Sequence, residues 1–185
     1  MKKTEFVDII TSTLNKSRIP YMISGSICSS FHGQPRMTND MDIIIDPTEK
    51  QLLEFLSSLN PSEYYFNKNS AIQAFKQRSM FNIIHMKQSW KADLIMRKDR
   101  EYSRLEFSRR QNTTLMGTQV SMASPEDSIL SKLEWAKNSG SQKQLDDVRL
   151  VLKVQKKLLD YDYLNEWAKK LGIYETLQKL LDETK

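Results

Sequence analysis

The chain has 185 residues, 28 Lys and Arg against 23 Asp and Glu, a net charge of +5 and a single cysteine. That length carries one ordinary domain or a domain with a small helical appendage, and burying roughly 70% of the unfolded surface lets it fold without a disulfide or structural metal. One cysteine excludes an intramolecular disulfide and fits a reducing, cytoplasmic setting. No apolar run approaches the roughly 20 residues of a membrane span, and the polar, amphipathic start does not read as a signal peptide.

Residues 4–18 read as a first helix, with Phe6, Ile9, Ile10, Thr13 and Leu14 on one face and Thr4 as its cap. Pro20 separates it from a short buried strand, 21–23. Ser24-Gly25-Ser26 ends that strand, and 26–32 can form a short helix stopped by Gly33. Cys28 and Phe31 are its expected inward residues. Cys28 has no base beside it and reads as a structural thiol. His32 can reach a phosphate from its loop but is expected at the surface.

Asp40-Met41-Asp42 then opens an apolar strand, Ile43-Ile44-Ile45. Residues two apart in a strand project from one face, so Asp40 and Asp42 stand side by side. Two carboxylates at the mouth of such a strand repel and are costly to desolvate, which a divalent cation such as magnesium resolves. Taken alone, the same pair is compatible with a solvated strand end. The Gly25-Ser26 turn adds free backbone amides that can cradle phosphate.

A helix is expected after Thr48, followed by a short strand at 63–66, a helix at 70–77 and strands at 81–86 and 92–96. The last two form a hairpin that sets Asp93 beside the Asp40 strand. An Asp within Ala92-Asp93-Leu94-Ile95-Met96 is out of place unless its charge is used there. His85 lacks neighbours at ligand spacing and reads as packed or solvated. A polar helix at 100–111 carries Arg104, Arg109 and Arg110, and short strands follow at 113–116 and 119–123.

Ser124-Pro125-Glu126-Asp127 supplies a cap, a proline at the first helical position and acids in the first turn, a helix start. Ile129, Leu130, Leu133, Trp135 and Ala136 are its expected apolar residues. Helices over 142–157, 161–171 and 174–181 follow, the first with Leu145, Val148, Leu152 and Leu158 inward and Lys153, Lys156 and Lys157 outward. The basic excess lies wholly in residues 51–110, with 11 basic and 6 acidic side chains. A basic stretch beside an acidic site suits a polyanion such as nucleotide or RNA.

These residues resemble a known group. An apolar strand, Gly-Ser, about a dozen residues, Asp-x-Asp and a lone Asp on a later strand are similar to the nucleotidyltransferase superfamily of polymerase-beta type. Within it, Arg36-Met37-Thr38-Asn39-Asp40-Met41-Asp42 is most similar to small bacterial AbiEii-like proteins. Ser124-Pro125-Glu126-Asp127 and Lys143-Gln144-Leu145-Asp146-Asp147-Val148 also match, although members often carry an acidic residue where Gln144 stands.

The resemblance implies an α/β (α+β) fold: a nucleotidyltransferase-like mixed sheet flanked by helices over residues 1–123, then a C-terminal helical bundle over 124–185. It implies transfer of a nucleoside monophosphate from an NTP to a hydroxyl, with one or two magnesium ions on Asp40, Asp42 and Asp93. Gly25, Ser26, Arg36, Thr38 and Lys132 are the expected nucleotide and phosphate contacts. The acceptor it implies is RNA such as tRNA, a protein or a small molecule, and a cognate antitoxin protein is an expected partner; no membrane is. A non-catalytic binding partner on the same fold is the competing reading. A metal-dependent glycosyltransferase also uses Asp-x-Asp but ordinarily needs a larger nucleotide-binding domain than this chain offers.

Overall fold

The structure is a computed structural model and describes residues 3–184. Helix α1 (Lys3–Lys16) leads into strand β1 (Tyr21–Ile23), helix α2 (Gly25–His32) and strand β2 (Asp40–Ile45). Helix α3 (Glu49–Ser57), strand β3 (Tyr64–Tyr65) and helix α4 (Lys68–Gln77) precede the hairpin of β4 (Met80–His85) and β5 (Lys91–Met96). Helix α5 (Glu101–Ser108) and the hairpin of β6 (Gln111–Leu115) and β7 (Thr118–Met122) close the sheet-forming half. Four helices complete the chain: α6 (Pro125–Ser139), α7 (Gln142–Gln155), α8 (Tyr161–Leu171) and α9 (Tyr174–Glu183). Among the described residues, no helix is long and apolar enough to cross a membrane.

The strands form one mixed sheet in the order β3-β4-β5-β2-β1-β7-β6. Neighbours are antiparallel except for β2 with β5 and β1 with β7, which are parallel. The mixed α/β architecture expected from the sequence is therefore present. Strand β2 shows why its register is fixed. Met41, Ile43 and Ile45 are buried on one face, while Asp40, Asp42 and Ile44 alternate onto the other. A slip of one residue would bury both carboxylates in the core, so the period of two pins the pairing.

Local chemistry sets the helix starts. The Thr48 hydroxyl accepts from the Gln51 backbone N–H, and the Gln51 side chain accepts from the Thr48 N–H, a reciprocal cap on α3. At α6 the Ser124 hydroxyl accepts from the Asp127 N–H at 3.1 Å and donates to the Asp127 carboxylate at 2.8 Å. Thr4 lies outside the residues whose side chains are described.

Two apolar clusters result. One joins the sheet to α1, α2, α3 and α4, from Phe6 to Ala123. The other is made by α6 to α9 and takes in Tyr102 from α5. Several inward assignments change. His32 is buried rather than superficial: it lies one turn after Cys28 and donates from Nε2 to the Ala123 carbonyl at 2.8 Å. Burial holds its pKa below the ordinary value. Phe31 is turned outward instead, because Ile27, Cys28 and His32 already fill the face that α2 presents to the core. Leu158 is exposed, and its neighbour Leu159 takes the inward place in the turn after α7. Trp135 is likewise exposed, since Ile129, Leu130, Leu133 and Ala136 use up the inward side of α6.

Candidate active site

The parallel pairing of β2 and β5 sets Asp40 opposite Lys91 and Asp42 opposite Asp93. Because side chains alternate along a strand, all four project to the same side of the sheet, with Ile44 and Ile95 next along it. That side forms the floor of a cavity of about 380 Å³, walled by α5, α6 and the N-terminus of α2. Such a volume falls in the usual range for small-molecule sites, roughly 300–1,000 Å³.

Asp42 and Asp93 are its charged centre. Burial raises the Asp42 pKa, the Asp93 charge raises it further, and the Ser26 backbone N–H offsets part of this. Asp93 is 7% exposed, and its Oδ1 is buried without a hydrogen-bond partner. A buried carboxylate oxygen lacking a donor is costly and marks a place where a ligand supplies the missing charge.

Asp40 differs from the other two. Its side chain is 57% exposed and faces the Lys91 ammonium at 3.5 Å. Lys91 Nζ also lies 3.0 Å from Asp93 Oδ2. The hydrogen bond to Asp93, outweighing desolvation, raises the Lys91 pKa. Among the described residues no three His, Cys, Asp or Glu side chains are gathered as a ready metal cluster. Asp42 and Asp93 nonetheless fit a hard divalent cation. They supply oxygen donors, one of them orphaned, in a partly buried position.

Gly25 opens α2 with φ of +60°, and a Cβ there would lie 1.9 Å from Asp42 Oδ2. The glycine is therefore required by the approach of the Asp42 carboxylate to the helix N-terminus, where backbone N–H groups point outward. Ser26 follows in the first turn. Its hydroxyl accepts from Arg36 Nη2 at 2.5 Å.

Arg36 and Lys132 both line or border this end, but they are already paired. Asp147 on α7 accepts from Arg36 Nε and Nη2 at 3.1 Å each and from Lys132 Nζ at 2.8 Å. Lys132 also donates to Gln144 Oε1 at 2.8 Å. Burial pushes the Asp147 carboxyl up, but the hydrogen bonds from Arg36 and Lys132 outweigh it and leave the carboxyl below its ordinary value. Thr38, also at the cavity, hydrogen-bonds the backbone of Asp40 at 3.2 Å and steadies the start of β2.

The far wall carries Glu106 of α5, 5% exposed and hydrogen-bonded by Ser131 at 2.9 Å. Burial pushes its carboxyl up to about 7, helped by the nearby Asp127 charge. Asp127 is fully buried and held by Ser124, Arg109 and the Tyr163 hydroxyl. Cys28 is buried with its thiol pushed up to about 12 by burial, which fits a structural thiol and not a nucleophile. His85 is packed edge-on against Tyr64, away from the cavity.

Sequence reasoning did not single out Lys91, Asp147 or Glu106. Lys91 was legible in part, since it stands two residues before Asp93 and so shares its face. Asp147 lies within the 143–148 stretch, but nothing in that stretch shows that it meets Arg36, 111 positions earlier. Glu106 gave no signal, sitting among polar helix residues.

The fold is shared with solved nucleotidyltransferase structures. ANT(2")-Ia in complex with adenylyl-2"-tobramycin is 11% identical at a TM-score of 0.63, over 93% of this chain and 98% of that one. An antigenic nucleotidyltransferase-like protein from Paracoccidioides brasiliensis is 16% identical at 0.60, over 97% and 91%. The lincomycin-bound lincosamide antibiotic adenylyltransferase LnuA is 14% identical at 0.55, over 83% and 98%. No protein-family model matches the chain, and no curated protein matches its sequence.

Proposed function

We propose that the protein is a metal-dependent nucleotidyltransferase that moves a nucleoside monophosphate from an NTP to an acceptor hydroxyl. The observation that carries this reading is the cross-strand pair Asp42 and Asp93, with an orphaned carboxylate oxygen on Asp93, in a cavity that is also lined by a helix N-terminus and a lysine. The shared fold supports it, and so does the company it keeps: one of those structures is an adenylyltransferase and another is bound to an adenylylated antibiotic. The AbiEii-like assignment rests on the Arg36-to-Asp42 motif alone.

In this mechanism the triphosphate lies against the first turn of α2. The Ser26 hydroxyl donates to a phosphate oxygen, while its N–H stays on Asp42, and Arg36 and Lys132 bring positive charge to the same end. A divalent ion, when bound by Asp42 and Asp93 with Asp40 beside them, neutralises phosphate charge and polarises the reacting phosphoryl group. The acceptor hydroxyl oxygen attacks the α-phosphorus, and its proton passes to solvent, its loss favoured by the Asp93 charge. The bond to the bridging oxygen of the β-phosphate breaks, and pyrophosphate leaves with that electron pair. Positioning and charge carry the rate, with little covalent chemistry asked of the protein.

The sheet-forming residues 1–123 hold the carboxylates, and 124–185 supply Lys132 and its anchor Asp147, so we assign the two stretches as a catalytic part and a helical part that completes the phosphate end. The acceptor is an RNA such as tRNA, a protein or a small molecule, and an antitoxin partner would act by covering this cavity. Incubation with each α-labelled NTP, magnesium and cell extract, comparing the wild type with Asp42→Asn, tests the reading. Label should enter one acceptor class with the wild type only. Equal labelling by both proteins overturns the assignment, and absence of labelling with no magnesium-dependent NTP binding leaves the non-catalytic binding partner in its place.

A further inference from the structure

The carboxylate face contains a fourth charge that neither the motif nor the proposed mechanism uses. Lys91 begins β5 opposite Asp40, two residues before Asp93, so strand alternation and register both aim it onto the acidic face. Its ammonium bridges Asp40 Oδ1 and Asp93 Oδ2, at 3.5 and 3.0 Å. Asp93 thus presents two unlike oxygens. Oδ2 is satisfied by Lys91, while Oδ1 is buried and unpartnered on a residue that is 93% buried and lines the cavity.

Three carboxylates and one ammonium leave a net charge of −2 on this face, which a single divalent cation balances. We propose that Lys91 is the resident cation of the site, taking the place of a second metal ion, so that the protein itself holds one divalent ion, between Asp42 and Asp93. This inference rests on the proposed nucleotidyl transfer and specifies its metal stoichiometry. The chemistry is consistent with the geometry. An ammonium offers three donors to carboxylate oxygens and needs no dehydration by the incoming nucleotide. It also accounts for Asp40 standing half in solvent: with Lys91 as partner, Asp40 is held without joining a compact three-carboxylate cluster.

Titration of the full chain with Mn2+ in the absence of nucleotide, followed by electron paramagnetic resonance of the free ion, tests this directly. The wild type should bind one ion. Lys91→Met removes the ammonium but keeps all but the last atom of the side chain's length, and the side chain is one-third exposed, so the fold should be retained. It should bind a second ion, or bind the first at least about tenfold more tightly, because the ammonium 3.0 Å from Asp93 Oδ2 is gone. Lys91→Arg should behave as the wild type. Unchanged ion number and affinity in Lys91→Met overturn the inference. Asp42→Asn separates this failure from that of the premise: if it binds Mn2+ as the wild type does, the metal site itself is wrong. If it loses Mn2+ while Lys91→Met matches the wild type, only the role of Lys91 falls.

Discussion

Asp42 lines the cavity and Asp147 stands behind its wall, bonded to the lining Lys132, and the two carboxyls are displaced in opposite directions. Asp147 is saturated: a guanidinium, an ammonium and the Ser29 hydroxyl converge on it, and its carboxyl is held below the ordinary value despite burial. Asp42 has desolvation and a facing carboxylate against it, and its carboxyl is raised. Under the proposed function the difference separates a structural charge from a functional one. Where the protein has already supplied the counter-charge, the group holds segments together; where it has not, something from outside is needed. Asp147 ties α7 to the loop before β2 and to α6. Asp42 accepts the Ser26 backbone N–H, and under the proposed function the counter-charge it lacks is a cation.

The sharpest break in this comparison comes from Asp42→Asn. Transfer should fall by at least about 10⁴-fold, as for loss of a reacting-site carboxylate. Meanwhile the metal-free protein should unfold at a higher temperature than the wild type near pH 7. The sign follows from the raised pKa: the folded state resists ionising Asp42, so ionisation costs stability as pH rises above the ordinary carboxylate value. The thermal gain should vanish below about pH 4. A variant that loses both activity and stability would place Asp42 with the structural charges.

Asp147→Ala should do the reverse, costing about 3–5 kcal/mol in urea unfolding because Arg36 and Lys132 are left unpaired near buried surroundings. The Asp147 carboxyl sits low, so its contribution is present above the ordinary Asp pKa and is lost only as pH falls through the depressed value. A loss below about 1 kcal/mol would show that the three-way pairing does not anchor the fold.

Glu106 tests the middle case, a buried carboxyl with serine partners but no ion pair among the described residues. Its pKa of about 7 in the folded state, against an ordinary 4.5, means that stability is fully present below 4.5 and declines as pH rises through 7. Glu106→Gln should therefore gain up to about 3 kcal/mol at pH 8 and nearly nothing at pH 4.5, measured by urea unfolding at both. An equal effect at the two values would mean that Glu106 carries no ionisation penalty.

Thr48→Ala, far from either aspartate, supplies the baseline. Removing the reciprocal cap on α3 should cost about 1 kcal/mol and leave transfer unchanged. A change in transfer here would show that stability alone perturbs the site.

How much was legible follows from the range of each interaction. Strand alternation is local, so Asp40-Met41-Asp42-Ile43 by itself predicts two carboxylates on one face and an apolar strand behind them. Capping is local too, and Ser124-Pro125-Glu126-Asp127 announces α6 before any packing is known. The hairpin that brings Asp93 to β2 was also readable from two apolar runs and a polar link. The pairing of Asp42 with Asp93 and of Asp40 with Lys91, by contrast, is a register between parallel strands about 50 residues apart, and no short-range pattern sets it. Asp147 meets Arg36 and Lys132 only because α7 packs against α2 and α6. The residue types and their faces were written in the chain; which charges end up paired, and which are left for a ligand, was decided by tertiary packing, because counter-charges come from whatever segment the fold brings alongside.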